Sequence, residues 1–397
     1  MEIYELTTDT DYVMQTNGKL KQFCFIILAI FIFCALLNGC SKFKLFSHKT
    51  TNKKSSITTA QLPLYQQPEV KEFMTSMVTQ YDFKYAKLEK LFKQAKIKQT
   101  ILNKIERPYE SVPWYEYQQH FLMQRRINNG VKFWHKYAMT LRRAYKKYGV
   151  PPSIIVAIIG VESAYGKQMG KFKVINALST LGFKYPKRAE YFQKELAQFL
   201  LLCREKHINP LKIYGSYAGA IGQPQFMPSN FRQYAVDFNN PNSADLIHNP
   251  KDAIASVANF FQAHGWQHGK SIALKAKLNK TFHGKMPDVM QKPQFTLAQL
   301  TKYHLKPMAV LPSHALVNIV KLQGKKGPLY WLGFHNIYVI TSYNTNIQYA
   351  MAVYQLSREI RKNYLHSLRH KPPLKHNHYA VKHKHHALKH KHGSKKA

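Results

Sequence analysis

Glu162 closes the apolar run Ile154-Ile155-Val156-Ala157-Ile158-Ile159-Gly160-Val161 and is followed by Ser163-Ala164-Tyr165-Gly166. A carboxyl at the end of an apolar helix, beside an aromatic ring and a glycine, is partly withdrawn from water. Desolvation raises a carboxyl pKa and keeps the group protonated near neutrality, as a general acid at a glycosidic oxygen requires. The structural alternative is a helix-end glutamate paired with a Lys or Arg, and the helix alone does not separate the two.

A second constellation runs Gly215-Ser216-Tyr217-Ala218-Gly219-Ala220-Ile221-Gly222-Gln223-Pro224-Gln225-Phe226-Met227-Pro228-Ser229. Its small residues let backbone approach a ligand, and its amides and hydroxyls can bind sugar hydroxyls. A tight helix-packing segment is the plainer reading. Aromatics able to stack on sugar rings stand at Tyr117, Tyr338 and Tyr343, although such residues serve equally as core. A glycosidase normally needs two carboxylates, and neither motif holds a second acid. Glu190, Glu195 and Glu205 are spaced like a solvated or structural helix face, and Asp237 begins a loop. A single acid points to a reaction whose nucleophile the substrate supplies.

The elements that must position these groups are mostly helical. From Glu69 to about Lys147 apolar residues recur at helical spacing, giving three or four amphipathic helices interrupted at Pro108 and Pro113. Gly149 and the Pro151-Pro152 pair end that unit and open the helix Ser153 to Val161; further helices are expected over Pro186 to Lys206 and Asp252 to His264. From about Lys270 the period changes to two in SIALKAKL, HALVNIVKL, LYWLGF and NIYVITSYN, which predicts strands of a small antiparallel sheet, before a helix over Ile347 to Arg361.

The 397 residues carry 59 Lys and Arg against 20 Asp and Glu, a formal charge of +39, with 45% hydrophobic content. That content excludes a wholly disordered or fibrous chain, and the charge implies an acidic partner or matrix. Nucleic acid would be the default in a cytoplasm, but the N-terminus indicates export. The apolar run Phe23 to Leu37, preceded by Lys19 and Lys21, is too short to span a membrane and suits a signal peptide. It ends in Leu37-Asn38-Gly39-Cys40, which resembles a lipoprotein cleavage box, so Cys40 is expected to be lipidated; Ser41 resembles an outer-membrane address. A single-pass inner-membrane anchor is the alternative. Four acids ahead of the basic stretch make Met14 the expected start. Cys24 and Cys34 leave with the signal, and Cys203, in FLLLCREK, reads as a buried inert thiol.

The segments GVPPSIIVAIIGVESAYG, NALSTLGFKYPKRAEYF, GSYAGAIGQPQFMPSNFRQYAVDF, DAIASVANFFQAHGW and YNTNIQYAMAVYQL together resemble the membrane-bound lytic murein transglycosylase B family, in order, from about Glu69 to Leu356. The resemblance implies a mainly α fold: a lysozyme-like helical core with an N-terminal helical unit and a small antiparallel β subdomain. It implies that Glu162 protonates the β-1,4 linkage between N-acetylmuramic acid and N-acetylglucosamine in peptidoglycan. As carboxylate, Glu162 would then deprotonate the muramoyl 6-hydroxyl, closing a 1,6-anhydro ring. By motif position, Ser216 and Gln225 carry over as sugar-binding or charge-stabilising groups, and Tyr117, Met227, Tyr338, Tyr343 and Asn344 as cleft-lining residues.

Two departures from the family pattern stand out. Pro224 occupies a position where members commonly have Gly. The calcium loop that the resemblance implies is degraded to Asp237-Phe238-Asn239-Asn240-Pro241-Asn242-Ser243-Ala244-Asp245, with proline at the third ligand position and no turn glycine. Asp237, Asn239 and Asp252 survive as oxygen ligands, and no metal or cofactor is expected.

The expected organisation is a signal peptide over 1–39, lipidated Cys40 and a flexible tether over 40–67, and a helical domain over 68–148. A catalytic core over 149–268, a β subdomain over 269–344 and a C-terminal helix over 345–365 packing back on the body follow. A disordered Lys/His tail over 366–397 ends the chain. The expected partners are peptidoglycan glycan strands and, through Cys40, the periplasmic face of the outer membrane, with no nucleic acid. A hydrolytic muramidase and a non-catalytic wall-binding lipoprotein remain the alternatives.

Overall fold

A computed structural model describes residues 62–106, 112–238, 240, 243–279, 291–312 and 314–369. The signal segment, Cys40, most of the tether, Asn239 and the tail beyond Arg369 lie outside the described residues.

The N-terminal periodicity resolves into six short helices: α1 (Pro68–Tyr81), α2 (Tyr85–Phe92), α3 (Gln99–Ile105), α4 (Trp114–Phe121), α5 (Gln124–Lys136) and α6 (Ala138–Tyr148). There are more of them than the three or four expected, because apolar spacing continues across breaks that it cannot register. Asp82, in the left-handed region, ends α1, and Gly149, with φ 73°, ends α6. Left-handed backbone at a helix C-terminus caps carbonyls that have no partner in the helix.

α7 (Pro152–Ser163) begins on a proline, whose missing N–H costs nothing in a first turn. Ile154 to Ile159 are all at most 1% exposed. A helix apolar on every side must be surrounded, and α7 is packed by α5, α6, α11 (Pro250–Ala263) and α14 (Ile347–Arg369). Beside this bundle α8 (Val174–Lys184) packs on α9 (Ala189–Glu205), which carries α10 (Pro228–Tyr234). Phe73, Phe92 and Phe183 join α1, α2 and α8 edge to face, with centroids 5.8–6.3 Å apart.

Two small sheets complete the fold. β1 (Phe172–Lys173) pairs antiparallel with β2 (Tyr214–Gly215), bringing the second motif beside the chain that leaves α7. The larger sheet has the order β4-β3-β6-β5, all antiparallel, with β3 (Ala273–Leu278), β4 (Leu305–Pro307), β5 (Asn318–Gly324) and β6 (Gly327–Gly333). Ala276, Leu305, Ile319 and Leu332 form its own apolar cluster with Leu300, in α12 (Leu297–Leu300), and Val317.

The segment NIYVITSYN corrects an expectation. It forms a helix, α13 (His335–Thr341), not a strand. Its β-branched residues favour extended backbone only weakly against tertiary context. Here Ile337, Val339 and Ile340 all reach the core, and the Asn336 side chain locks the helix to the chain after α11 through Gln267 N, Gln267 O and Lys270 O at 2.8–3.2 Å. Among the described residues no helix is long and apolar enough to cross a membrane.

Candidate active site

The chain leaves α7 through three consecutive left-handed residues, Ala164 (φ 48°), Tyr165 (φ 63°) and Gly166 (φ 82°). Two of these are non-glycine, a conformation that costs about 1 kcal/mol or more per residue and persists only where neighbours over-determine it. Ser163 supplies much of that constraint: its Oγ donates to Ile159 O at 3.2 Å and accepts from Gly166 N at 3.0 Å. Arg126, on α5, donates to the carbonyls of Gly160 and Val161, neutralising the negative end of the helix dipole in the same turn as Glu162. The Tyr165 hydroxyl returns to Arg126 O at 2.9 Å. Gly160 makes this possible, since a Cβ there would lie 2.6 Å from that hydroxyl. We expect Gly160→Ala to lower stability by about 1–3 kcal/mol, read as a denaturant midpoint shift at unchanged slope.

Glu162, half-buried, presents Oε1 to the Tyr349 hydroxyl at 2.5 Å. Burial, then the charge of Glu162, push the Tyr349 phenol well above its ordinary value, so it remains a donor. Tyr343 stacks on Tyr349, with centroids 6.4 Å apart and planes 13° apart, and is raised by the same two causes. Tyr117, 2% exposed on α4, is, after Tyr343, the second phenol whose field reaches Tyr349. Three tyrosines from α4, the α13–α14 turn and α14 thus converge with a carboxyl from α7.

The second motif forms the wall beside them. Ser216 Oγ accepts from Ala218 N at 3.2 Å and Ala220 N at 3.0 Å, so this hydroxyl oxygen holds its own turn. Gly215 and Gly219 admit close approach of Ala220 O and Leu178. Gln225 adopts φ 49°, and its Nε2 donates to Gly222 O at 2.7 Å and Met169 O at 3.2 Å. Pro224 lends its carbonyl to the Tyr343 hydroxyl at 2.5 Å, which ties the loop to the tyrosine cluster. Met227 is half-buried where α10 starts, Tyr338 neighbours His335 on α13, and Asn344 Oδ1 caps Asn346 N at 3.1 Å.

The other acids weighed from the sequence are engaged elsewhere. Glu195 is buried and accepts from Ser229 N at 3.0 Å and Ser229 Oγ at 2.6 Å; Glu190 pairs with Lys194 and Glu205 with Arg232. Asp237 accepts from Ser243 Oγ at 2.9 Å. Asp252, 2% exposed, accepts from Asp245 N at 2.8 Å, while Asp245 binds the amides of Ile247 and His248. Lys206 lies among these acids, donating to Ala244 O at 3.1 Å and feeling Asp245, Asp252, Glu205 and Asp237. Burial lowers its pKa, and the four carboxylates oppose that shift. Among the described residues no cluster of three His, Cys, Asp or Glu side chains could hold a metal.

Sequence reasoning did not single out Tyr349 or Arg126. Tyr349 lies in the motif YNTNIQYAMAVYQL, six residues past Tyr343, but nothing local marks it as the partner of a residue 187 positions away.

Residues 65–358 match the family described as the transglycosylase SLT domain. The chain belongs to this family. It is 40% identical over 305 residues to membrane-bound lytic murein transglycosylase B of Escherichia coli strain K12, covering 74% of this chain and 82% of that one. The structure of the Escherichia coli lytic transglycosylase Slt35 in complex with calcium aligns with TM-score 0.69 at 40% identity, covering 75% of this chain and 94% of the other. SltB3 from Pseudomonas aeruginosa, in complex with NAG-anhNAM-pentapeptide, aligns with TM-score 0.65 at 27% identity, covering 73% and 78%. The protein is therefore a lytic transglycosylase acting on peptidoglycan, with a mainly helical, lysozyme-like fold.

Proposed function

We propose that this transglycosylase cuts the β-1,4 bond between N-acetylmuramic acid and N-acetylglucosamine with Glu162 as its sole acid and base. The observation that carries the reading is the carboxyl of Glu162, held at Oε1 by Tyr349, while Glu190, Glu195, Glu205 and Asp237 are engaged by other partners. Glu162 gives its proton to the glycosidic oxygen as the C1–O bond breaks, and the N-acetylglucosamine 4-hydroxyl departs. The muramoyl O6 attacks C1, and its proton passes to the Glu162 carboxylate, restoring the acid. No water is consumed, and an internal nucleophile has the advantage of proximity. Gln225, Ser216 and Met227 border the sugar, with Tyr117, Tyr338, Tyr343 and Asn344 lining the cleft.

The test is mass spectrometry of muropeptides released from purified sacculi by the detergent-solubilised full-length protein. Products lacking one water, with 1,6-anhydromuramic ends, are expected. Reducing ends would mean hydrolysis and overturn the ring closure.

Two further parts belong to this reading. Cys40 carries lipid and holds the enzyme on the outer membrane facing the wall, as a membrane-bound relative suggests; the mature N-terminal peptide should begin at an acylated Cys40. The Asp237 loop does not suit calcium. Its carboxylates are occupied by protein donors, and Lys206 brings a cation of its own. The melting temperature of the wild type should be indifferent to EDTA and to millimolar calcium. Lys206→Met should lower it by about 1–2 °C, the shift for about 1 kcal/mol in a protein of this size, with partial recovery in calcium. A wild type stabilised by calcium would refute this.

A further inference from the structure

Helix α6 turns one side to the core and the other to solvent, and the solvent side is built from cations. Leu141, Ala144 and Tyr148 are buried, while Met139, Arg142, Arg143, Tyr145, Lys146 and Lys147 are exposed, and the helix holds no Asp or Glu. Like charges four residues apart repel on a helix, and Arg142 with Lys146 and Arg143 with Lys147 both have that spacing. Lys146 and Lys147 offset part of this by facing the negative end of the helix dipole, an effect confined to the last turn. Arg142 and Arg143 stand too far from that end to share it. Arg143 is held by Phe238, donating to its carbonyl at 2.9 Å with the guanidinium 4.3 Å from its ring. Arg142 donates to the Met139 sulfur at 2.8 Å and, among the described residues, pairs with no acid.

Beside this face opens a cavity of about 590 Å³, walled by Arg142, Tyr145, Lys146 and Lys147 from α6 and by Trp266 and His268 from the chain after α11. No Asp or Glu lines it. His268 bonds to the Tyr145 hydroxyl at 2.8 Å, and the buried indole N–H of Trp266 has no acceptor among the described residues. Cations around a concavity without acids select an anion. An acidic polymer would need nothing beyond charge, but the same face also carries Met139, 71% exposed, and Tyr145, 39% exposed. An apolar side chain and an amphipathic ring among cations on one helix face make the pattern of a helix lying at a lipid headgroup boundary. We propose that the exposed face of α6 docks on an anionic phospholipid surface, with lipid phosphates at Arg142, Lys146 and Lys147 and with Met139 entering the headgroup layer. This builds on the membrane attachment proposed above: a body tethered at its N-terminus meets that surface at high effective concentration, so a weakly binding face is enough to hold it against the bilayer.

The experiment places the photo-crosslinking residue benzoylphenylalanine at Met139 of the full-length protein and, as a control, at Met308, which is 52% exposed just past β4. Each protein is floated with vesicles of phosphatidylcholine alone or with about a third phosphatidylglycerol and irradiated, and its lipid adducts are measured by mass spectrometry. Adducts at Met139 are expected on the anionic vesicles, falling as salt rises, with few on neutral vesicles and few at Met308. A basic residue near an anionic surface contributes about fivefold to binding, so Arg142→Gln with Lys146→Gln should weaken docking by about 25-fold. The Met139 yield should then approach its neutral-vesicle level at unchanged melting temperature. Equal Met139 yields on the two vesicles, equal yields at Met139 and Met308, or a yield untouched by the double variant would overturn the docking face. Failure of the protein to float with neutral vesicles would instead refute the membrane attachment, and the Met139 yield on anionic vesicles would still decide the face.

Discussion

Glu162→Gln is expected to cut turnover on sacculi by about 10²–10⁴-fold, the range for losing a positioned acid-base group, while sacculus binding and melting temperature stay near wild type. The amide keeps the size of the carboxyl and can still accept from the Tyr349 hydroxyl at Oε1, so the fold around α7 has no reason to change. What it cannot do is donate a proton to a leaving oxygen and then take one from O6. Both half-reactions pass through the same atom pair, so a single substitution removes both. Equal cleavage by mutant and wild type would remove Glu162 from the mechanism and favour a wall-binding role for the fold.

Tyr349→Phe should lower kcat by about 10–100-fold with little change in KM. The estimate follows from losing a buried hydrogen bond to a charged group, worth about 1.5–3 kcal/mol. Tyr349 is a positioning residue: it reaches the reaction only through Glu162 Oε1, at 2.5 Å. Its phenol is pushed well above its usual value by burial and then by the Glu162 charge. A raised phenol pKa means that the proton, and the bond it makes, persist from acid conditions through neutrality and are not lost on the alkaline side of an ordinary tyrosine titration. The wild-type pH profile should therefore show no limb from Tyr349 ionisation below about pH 10. A merely structural role would lower melting temperature and KM-independent activity together, whereas positioning lowers kcat alone. An unchanged kcat in Tyr349→Phe would break the link between this phenol and the chemistry.

How much of this was legible beforehand differs element by element. Helix α7 could be read directly because an uninterrupted apolar stretch states its own burial; the glutamate that ends it could be placed by position, while the helix alone left its chemistry open between a general acid and an ion-paired helix end. The glycines of GSYAGAIG were read as admitting a ligand or as tight packing, and Gly215 and Gly219 meet Ala220 O and Leu178 of the chain itself, which is the packing reading. The strand period was right for β3, β5 and β6 and wrong for α13, where Ile337, Val339 and Ile340 pack into the core from a helix. Alternation over so short a stretch cannot tell a half-buried strand from a helix buried on nearly every side.

By itself the sequence determined the helical class, the position of the glutamate at the end of a buried helix and the glycine-built loop, because residue type and spacing along the chain carry those properties; the altered metal loop was legible only through the family resemblance. Only tertiary structure decided the partners. Tyr349 meets Glu162 across 187 residues, and Arg126 meets Gly160 across 34. Lys206 meets Ala244 across 38 and lies within reach of Asp237, Asp245 and Asp252. Local pattern records which face of an element is apolar; it does not record which other element that face is pressed against. These contacts depend on how helices distant in sequence pack, α5 and α14 against α7, and α9 against α8 and α10, and that follows from the fit of the whole core.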